Sequence, residues 1–86
     1  MTYKKIILYT SNGIPEALSN LWYGSDCSVT ELTDAVEDAK NAKDLLERLG
    51  RMKLLRRFRI DRETEMKLRF KCTDWLGNVS YLEIRK

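Results

Sequence analysis

Arg57 and Arg59, then Lys67, Arg69 and Lys71, and finally Arg85 stand at alternate positions of three short segments. In extended chain that spacing turns side chains to one face, so the six would form a cationic surface with only Glu83 among them. Like charges directly opposite one another on paired strands cost from a few tenths to about 1 kcal/mol each. Anionic phosphates would offset that cost, and Tyr9 and Tyr81, at positions of the same parity, would add stacking surfaces of the kind single-stranded nucleic-acid binders use. The alternative is a solvated face whose charges spread into water, helped by Glu83 and by acids on neighbouring loops.

Trp75 and Leu76 fall between two alternating segments, where a hairpin tip is expected and polar residues are usual. An apolar pair there either folds back onto the body or is offered to a partner, for which tryptophan is a common anchor. Trp22 and Tyr23 read as core. Cys27 and Cys72 have no histidine to make a thiolate, because the chain contains none, and both read as small buried residues. Asp34, Glu37, Asp38, Asp44 and Glu47 are interspersed with Lys40 and Lys43 at helical spacing, which ordinary helix-surface pairing explains without a metal. No Gly-rich phosphate loop, RNP aromatic pattern, GXXG clamp or CxxC spacing occurs. No nucleophile, base and orienting group assemble from the sequence, so catalytic residues, cofactor and metal are all expected to be absent.

The segment Tyr9 to Pro15 resembles the strand-to-helix turn of glutaredoxins, in which one cysteine precedes the proline and another follows it by two. Those positions hold Ile14 and Ala17 here, so the redox chemistry of that family is not implied.

The elements that must position these residues are legible from periodicity. Between Ser28 and Gly50, Val29, Leu32, Val36, Ala39, Ala42, Leu46 and Leu49 recur every three or four residues, with Ala35 and Leu45 widening the stripe. This predicts one amphipathic helix roughly 30 Å long. Ser28 with Glu31 fits a capping box, Cys27 with Leu32 a hydrophobic staple, and Gly50 a left-handed stop. Leu46 is expected deep against the sheet. Residues 4–10 read as an interior strand, and Pro15 opens a short helix ending near Tyr23 and Gly24, with Ile14, Leu18, Leu21 and Trp22 on its apolar face. After Gly50 the period changes to two, in 53–60, 65–72 and 79–86, joined by Asp61 to Thr64 and by Thr73 to Asn78. Parity sends Leu54, Phe58, Ile60, Met66, Leu68, Phe70, Cys72, Leu82 and Ile84 toward the helix. Val79, Tyr81, Glu83 and Arg85 then face outward with the cations, while Arg56, inward by parity, belongs at the sheet edge.

The expected fold is therefore a single α+β domain over residues 1–86, ordered β-α-α-β-β-β. Its long amphipathic helix packs on one face of a four-stranded, mainly antiparallel sheet. The first strand should join the meander on an edge the sequence leaves open. At 86 residues such a domain buries about 60% of its unfolded surface. A net charge of +3 hides an asymmetry: residues 1–39 hold two basic and six acidic side chains, residues 40–72 twelve and five. That imbalance points to an anionic partner. Ile6, Ile7 and Leu8 are too short an aliphatic run for a signal-peptide core or a membrane span, so the expected address is the cytoplasm, with no membrane partner.

Two functional classes follow. One is a small non-catalytic protein that binds and modulates or inhibits a larger protein or nucleoprotein complex, a size at which phage-encoded inhibitors of host or defence proteins are common. The other is a nucleic-acid-binding module using the basic sheet face and its tyrosines. Both use Arg57, Arg59, Lys67, Arg69, Lys71, Trp75, Tyr81 and Arg85 as the contact set, and either is compatible with a homodimer.

Overall fold

In the computed structural model, which describes residues 2–22 and 27–86, the chain is α+β. Its elements are β1 (Lys5–Thr10), β2 (Pro15–Glu16), α1 (Val29–Asp38), α2 (Ala42–Arg51), β3 (Arg57–Glu63), β4 (Lys67–Thr73) and β5 (Val79–Arg85). The strands form one sheet in the order β2-β1-β5-β4-β3, with every neighbour antiparallel. The first strand thus joins the meander beside its last strand and is an interior strand, as its two apolar sides require.

The continuous helix expected over 28–50 is two helices of ten residues each. Ser28 caps α1 by accepting from the Glu31 N–H, as its capping box predicts. The helix then stops at Ala39, which turns to extended backbone at ψ 137. Asn41 restarts it: its side chain accepts from the Asp44 N–H at 2.9 Å, and the Asp44 carboxylate accepts from the Lys40 N–H at 2.9 Å. Asparagine is a poor interior helix residue and a strong N-cap, so the break sits where the chain supplies a cap. Geometry favours it too. An unbroken helix of roughly 30 Å would overhang seven-residue strands of about 23 Å.

The break resets the phase of the buried stripe. Ala42, Leu45 and Leu49 are the buried residues of α2, and Leu46, expected deep, is only half-buried beside the core. Gly50 is ordinary helix rather than a left-handed stop. The helix runs on to Arg51, and the residue with positive φ is Lys53 at 53°. Asn41→Ala tests the arrangement by its sign. With a cap at Asn41 the variant should lose about 0.5–2 kcal/mol in urea titrations, whereas in a continuous helix alanine at an interior position would raise stability.

Pro15 opens a strand, not a helix. Gly13, with φ 79, closes a turn in which its N–H donates to the Thr10 carbonyl at 2.9 Å, and the chain folds back so that Pro15 faces Tyr9 and Glu16 faces Leu8. Proline has no N–H to give a ladder and is tolerated on this short edge strand. A 3₁₀ turn over Leu18–Asn20 replaces the rest of the expected helix. Tyr23 and Gly24, where that helix was expected to end and Tyr23 to join the core, lie outside the described residues. Trp22 is buried as expected. Its Nε1–H donates to Ser80 Oγ at 2.6 Å, and its ring meets Phe58 edge-on at 5.8 Å.

The meander differs from expectation mainly in β3, which begins at Arg57 rather than near Lys53 and continues to Glu63, through residues expected to turn. Leu54 and Leu55, ahead of it, are both buried, and Arg56 is exposed. A bulge between Ile60 and Arg62 lets the strand pair Arg62 with Arg69 and Glu63 with Leu68. Leu68, Phe70, Cys72, Leu82 and Ile84 point inward and are fully buried, together with Leu8, Leu32, Val36, Leu45 and Leu49. Ile60 and Met66 do not join them. Ile60 lies on the unpaired edge at 42% exposure and Met66 in the β3–β4 turn at 67%. Among the described residues no helix is long and apolar enough to cross a membrane.

Candidate functional site

The outer face of the sheet, opposite the helices, gathers the residues that parity assigned to it. Across the strands, Lys5, Arg85 and Lys67 stand in one row, Ile7, Glu83, Arg69 and Arg62 in the next, and Tyr9, Tyr81, Lys71 and Arg59 in the third. Arg57, opposite Thr73, completes the face.

At its centre Glu83 is only 3% exposed. Its carboxylate accepts from Arg85 Nε at 3.1 Å and from the Tyr9 hydroxyl at 3.3 Å, and lies 3.5 Å from Lys67 Nζ. Burial by itself would raise the Glu83 carboxyl, but the hydrogen bond from Arg85 and the charges of Lys67 and Arg85 outweigh it and hold the group below the usual glutamate range. Arg69 is drawn inward as well. Its guanidinium carbon lies 4.5 Å from the centre of the Tyr81 ring and 5.7 Å from that of Tyr9, and its Nε, shielded from solvent, is 3.7 Å from the carboxylate of Asp61. Asp61 shares the outward parity of Arg57 and Arg59, and the β3 bulge sets Arg62 rather than Asp61 directly opposite Arg69.

The six cations read from the sequence therefore fall into two groups. Lys67, Arg69 and Arg85 are wired to Glu83, Asp61 and the tyrosines. Arg57, Arg59 and Lys71 have no ion-pair partner among the described residues, and the same holds for Arg62, which was not singled out. Tyr81 shares its ring with Arg69, so the tyrosines serve the face's own cohesion before they can stack on a base.

The β4–β5 hairpin is organised by Asp74. This residue, 4% exposed, accepts from the Leu76 N–H at 2.9 Å and the Asn78 N–H at 2.8 Å through Oδ1, and from the Asn78 side-chain amide at 3.1 Å through Oδ2. Its own backbone exchanges hydrogen bonds with Asn78 and Gly77, and Gly77 takes φ 88. Burial raises the Asp74 carboxyl, but the hydrogen bonds from Asn78 and Leu76, with the nearby Gly77 N–H, together bring it below the usual aspartate range. With the loop tied inward through Asp74, Trp75 and Leu76 point out, 60% and 65% exposed. The indole does not fold back. Sheet register places the β1–β2 turn at the same end, where Ile14 is 60% exposed rather than packed on a helix. The signal for this end was Asp74 with Gly77 and Asn78, an acceptor followed by residues that tolerate a tight turn.

Both cysteine thiols are held above the ordinary cysteine range. Burial pushes Cys72 up to about 12, and burial followed by the nearby charge of Glu31 raises Cys27. Among the described residues no three histidine, cysteine, aspartate or glutamate side chains converge in a way that could hold a metal ion. Comparison with protein-family models, with curated proteins and with solved structures gives no match.

Proposed function

We propose that this chain is a non-catalytic binding protein of the cytoplasm that docks on a larger protein or nucleoprotein complex and modulates it. The observation that carries the reading is Trp75, held out at 60% exposure by a hairpin whose backbone is fixed from within by Asp74. A large aromatic on a rigid support loses little rotamer freedom on binding, which is what an interface anchor requires. Arg57 lies at the same end of the sheet, opposite Thr73, and Arg59 and Lys71 pair one step further in, so an acidic rim on the partner would meet unpaired cations beside the anchor. An inhibitor of the kind phages encode against host or defence proteins is one form of this reading.

The test is capture from native lysate with nuclease present, followed by titration of the recovered partner. Trp75→Ala should weaken binding by about 2 kcal/mol or more, roughly thirtyfold, without lowering the melting temperature. Retained affinity in that variant would remove the hairpin from the interface.

The unpaired Arg59 and Lys71, directly opposite each other, favour a second reading in which nucleic acid lies along β3 and β4. Binding would then vanish on nuclease treatment and fall with salt by about 0.7–0.9 logarithmic units per phosphate contacted. Arg57→Glu, Arg59→Glu and Lys71→Glu together should abolish it.

A further inference from the structure

At the end of the sheet away from Trp75, Lys4, Lys5, Met66, Lys67, Arg85 and Lys86 line a cleft of about 520 Å³. Five of its six walls are cationic side chains, and none is an acid. Three of them, Lys5, Arg85 and Lys67, form one row across β1, β5 and β4, in which each neighbouring pair sets like charges directly opposite one another. The carboxylates that offset these cations lie outside the cleft and are already engaged. Glu83 serves both Lys67 and Arg85, and Glu63 stands 3.6 Å from Lys86 Nζ. Lys4 and Lys5 have no ion-pair partner among the described residues. The backbone beneath is fixed, with the Lys4 N–H donating to the Arg85 carbonyl at 2.6 Å and the Lys86 N–H to the Met66 carbonyl at 2.9 Å. Lys5, Lys67 and Arg85 therefore rise from paired strands, and Lys4 and Lys86 from the residues that flank those strands and are hydrogen-bonded to them.

We propose that this cleft is an anion site for a phosphate chain, a di- or triphosphate, separate from the hairpin interface and independent of it. The row spans two inter-strand spacings, about 10 Å. A single phosphate group reaches two of its cations, whereas a chain of two or three reaches all three and brings several negative charges to a place where positive charge is undercompensated. Arg85 supplies planar paired donors, and the lysines supply mobile point charges, a combination suited to phosphoryl oxygens. Met66 supplies the one apolar wall of the cleft.

The experiment is isothermal titration of the full chain with inorganic tripolyphosphate and, in a parallel arm, with ATP, followed by amide shifts in two-dimensional NMR. Saturable one-to-one binding is expected, with shifts at residues 4–5, 66–67 and 85–86. Lys5→Gln, at an exposed position, should weaken it about tenfold or more, and Arg62→Gln, on the same face but outside the cleft, should leave it unchanged. Equal affinity for the two ligands identifies the phosphate chain itself as what is read, and tighter binding of ATP identifies a nucleotide as its source. The proposal is overturned if neither ligand saturates, if Lys5→Gln binds as wild type does, or if Arg62→Gln loses as much as Lys5→Gln, which would reduce the site to the diffuse field of the whole face.

Discussion

Leu45→Ala should destabilise the protein by about 2–5 kcal/mol, while Leu46→Ala, one position on, should cost clearly less. Leu45 is fully buried in the core, and the surrounding Leu49, Val36 and Phe70 are equally inaccessible, so truncation leaves a cavity that rigid neighbours cannot fill. Leu46 packs at the margin of the same cluster, where water can take the vacated space. For a domain of this size the larger loss corresponds to a fall in melting temperature of roughly 10 °C or more. Thermal and urea melts of the two variants check it. A deeper loss in Leu46→Ala would restore the phase of a single continuous helix and contradict the break at Ala39.

Glu83→Gln should cost about 2–3 kcal/mol, a figure set by the loss of charged hydrogen bonds donated to a carboxylate shielded from water. Removing the charge leaves Lys67, Arg85 and Lys5 facing one another with nothing central to hold them. The cost stays below that of breaking a fully buried pair because Lys67 and Arg85 are themselves partly solvated, with side chains 39% and 51% exposed. The same group predicts a pH dependence. Its folded-state pKa lies below the ordinary value of 4.5, so its contribution is complete above that value and is lost as pH falls through the folded one. Asp74, also held below its ordinary range, acts in the same direction. Melts of wild type between about pH 6 and about pH 3 should therefore show stability falling on the acid side. In Glu83→Gln that decline should be shallower, with the part due to Asp74 remaining. A decline of equal steepness in both proteins would show that Glu83 is not the acid-sensitive centre of the sheet.

The parts of the fold that could be read from the sequence are those where one signal dominates. In β4 and β5 the alternation is unbroken and the Gly77–Asn78 turn fixes the register, so the assignment of Arg69, Lys71, Tyr81, Glu83 and Arg85 to one face follows from parity alone. The helix break was hidden because Ala39 and Ala42 satisfy the apolar spacing of one long helix and of two short ones equally well. Only Asn41, followed three residues later by Asp44, distinguishes them. β2 could not be read from two residues without the Gly13 turn that folds them onto β1. For the candidate site, facing direction was legible and wiring was not. That Tyr9 reaches Glu83 and that Arg69 lies between two tyrosines both depend on β1 pairing with β5, a long-range choice that no local pattern encodes. Trp75 was ambiguous for a different reason. Its exposure is decided by three hydrogen bonds to the side chain of Asp74, and hydrophobicity argues the other way.

The pairing of β1 with β5 also bears on how the chain reaches its fold during synthesis. β1 is made before both helices, β3 and β4, yet its partner strand is made only after them, and the bond from Tyr9 to Glu83 closes a loop of 74 residues. Closing a loop of that length costs roughly 4 kcal/mol of chain entropy before any contact repays it. Until β5 exists, β1 and β4 each present an unpaired edge. The helices and the β3–β4 hairpin can form locally in that interval, but the sheet cannot join its two halves. β5 is therefore the closing strand. It brings Glu83 to the cations, Ser80 to Trp22 and Ile84 to the core in one step, so the basic face, the tryptophan hairpin and the phosphate cleft come into being together.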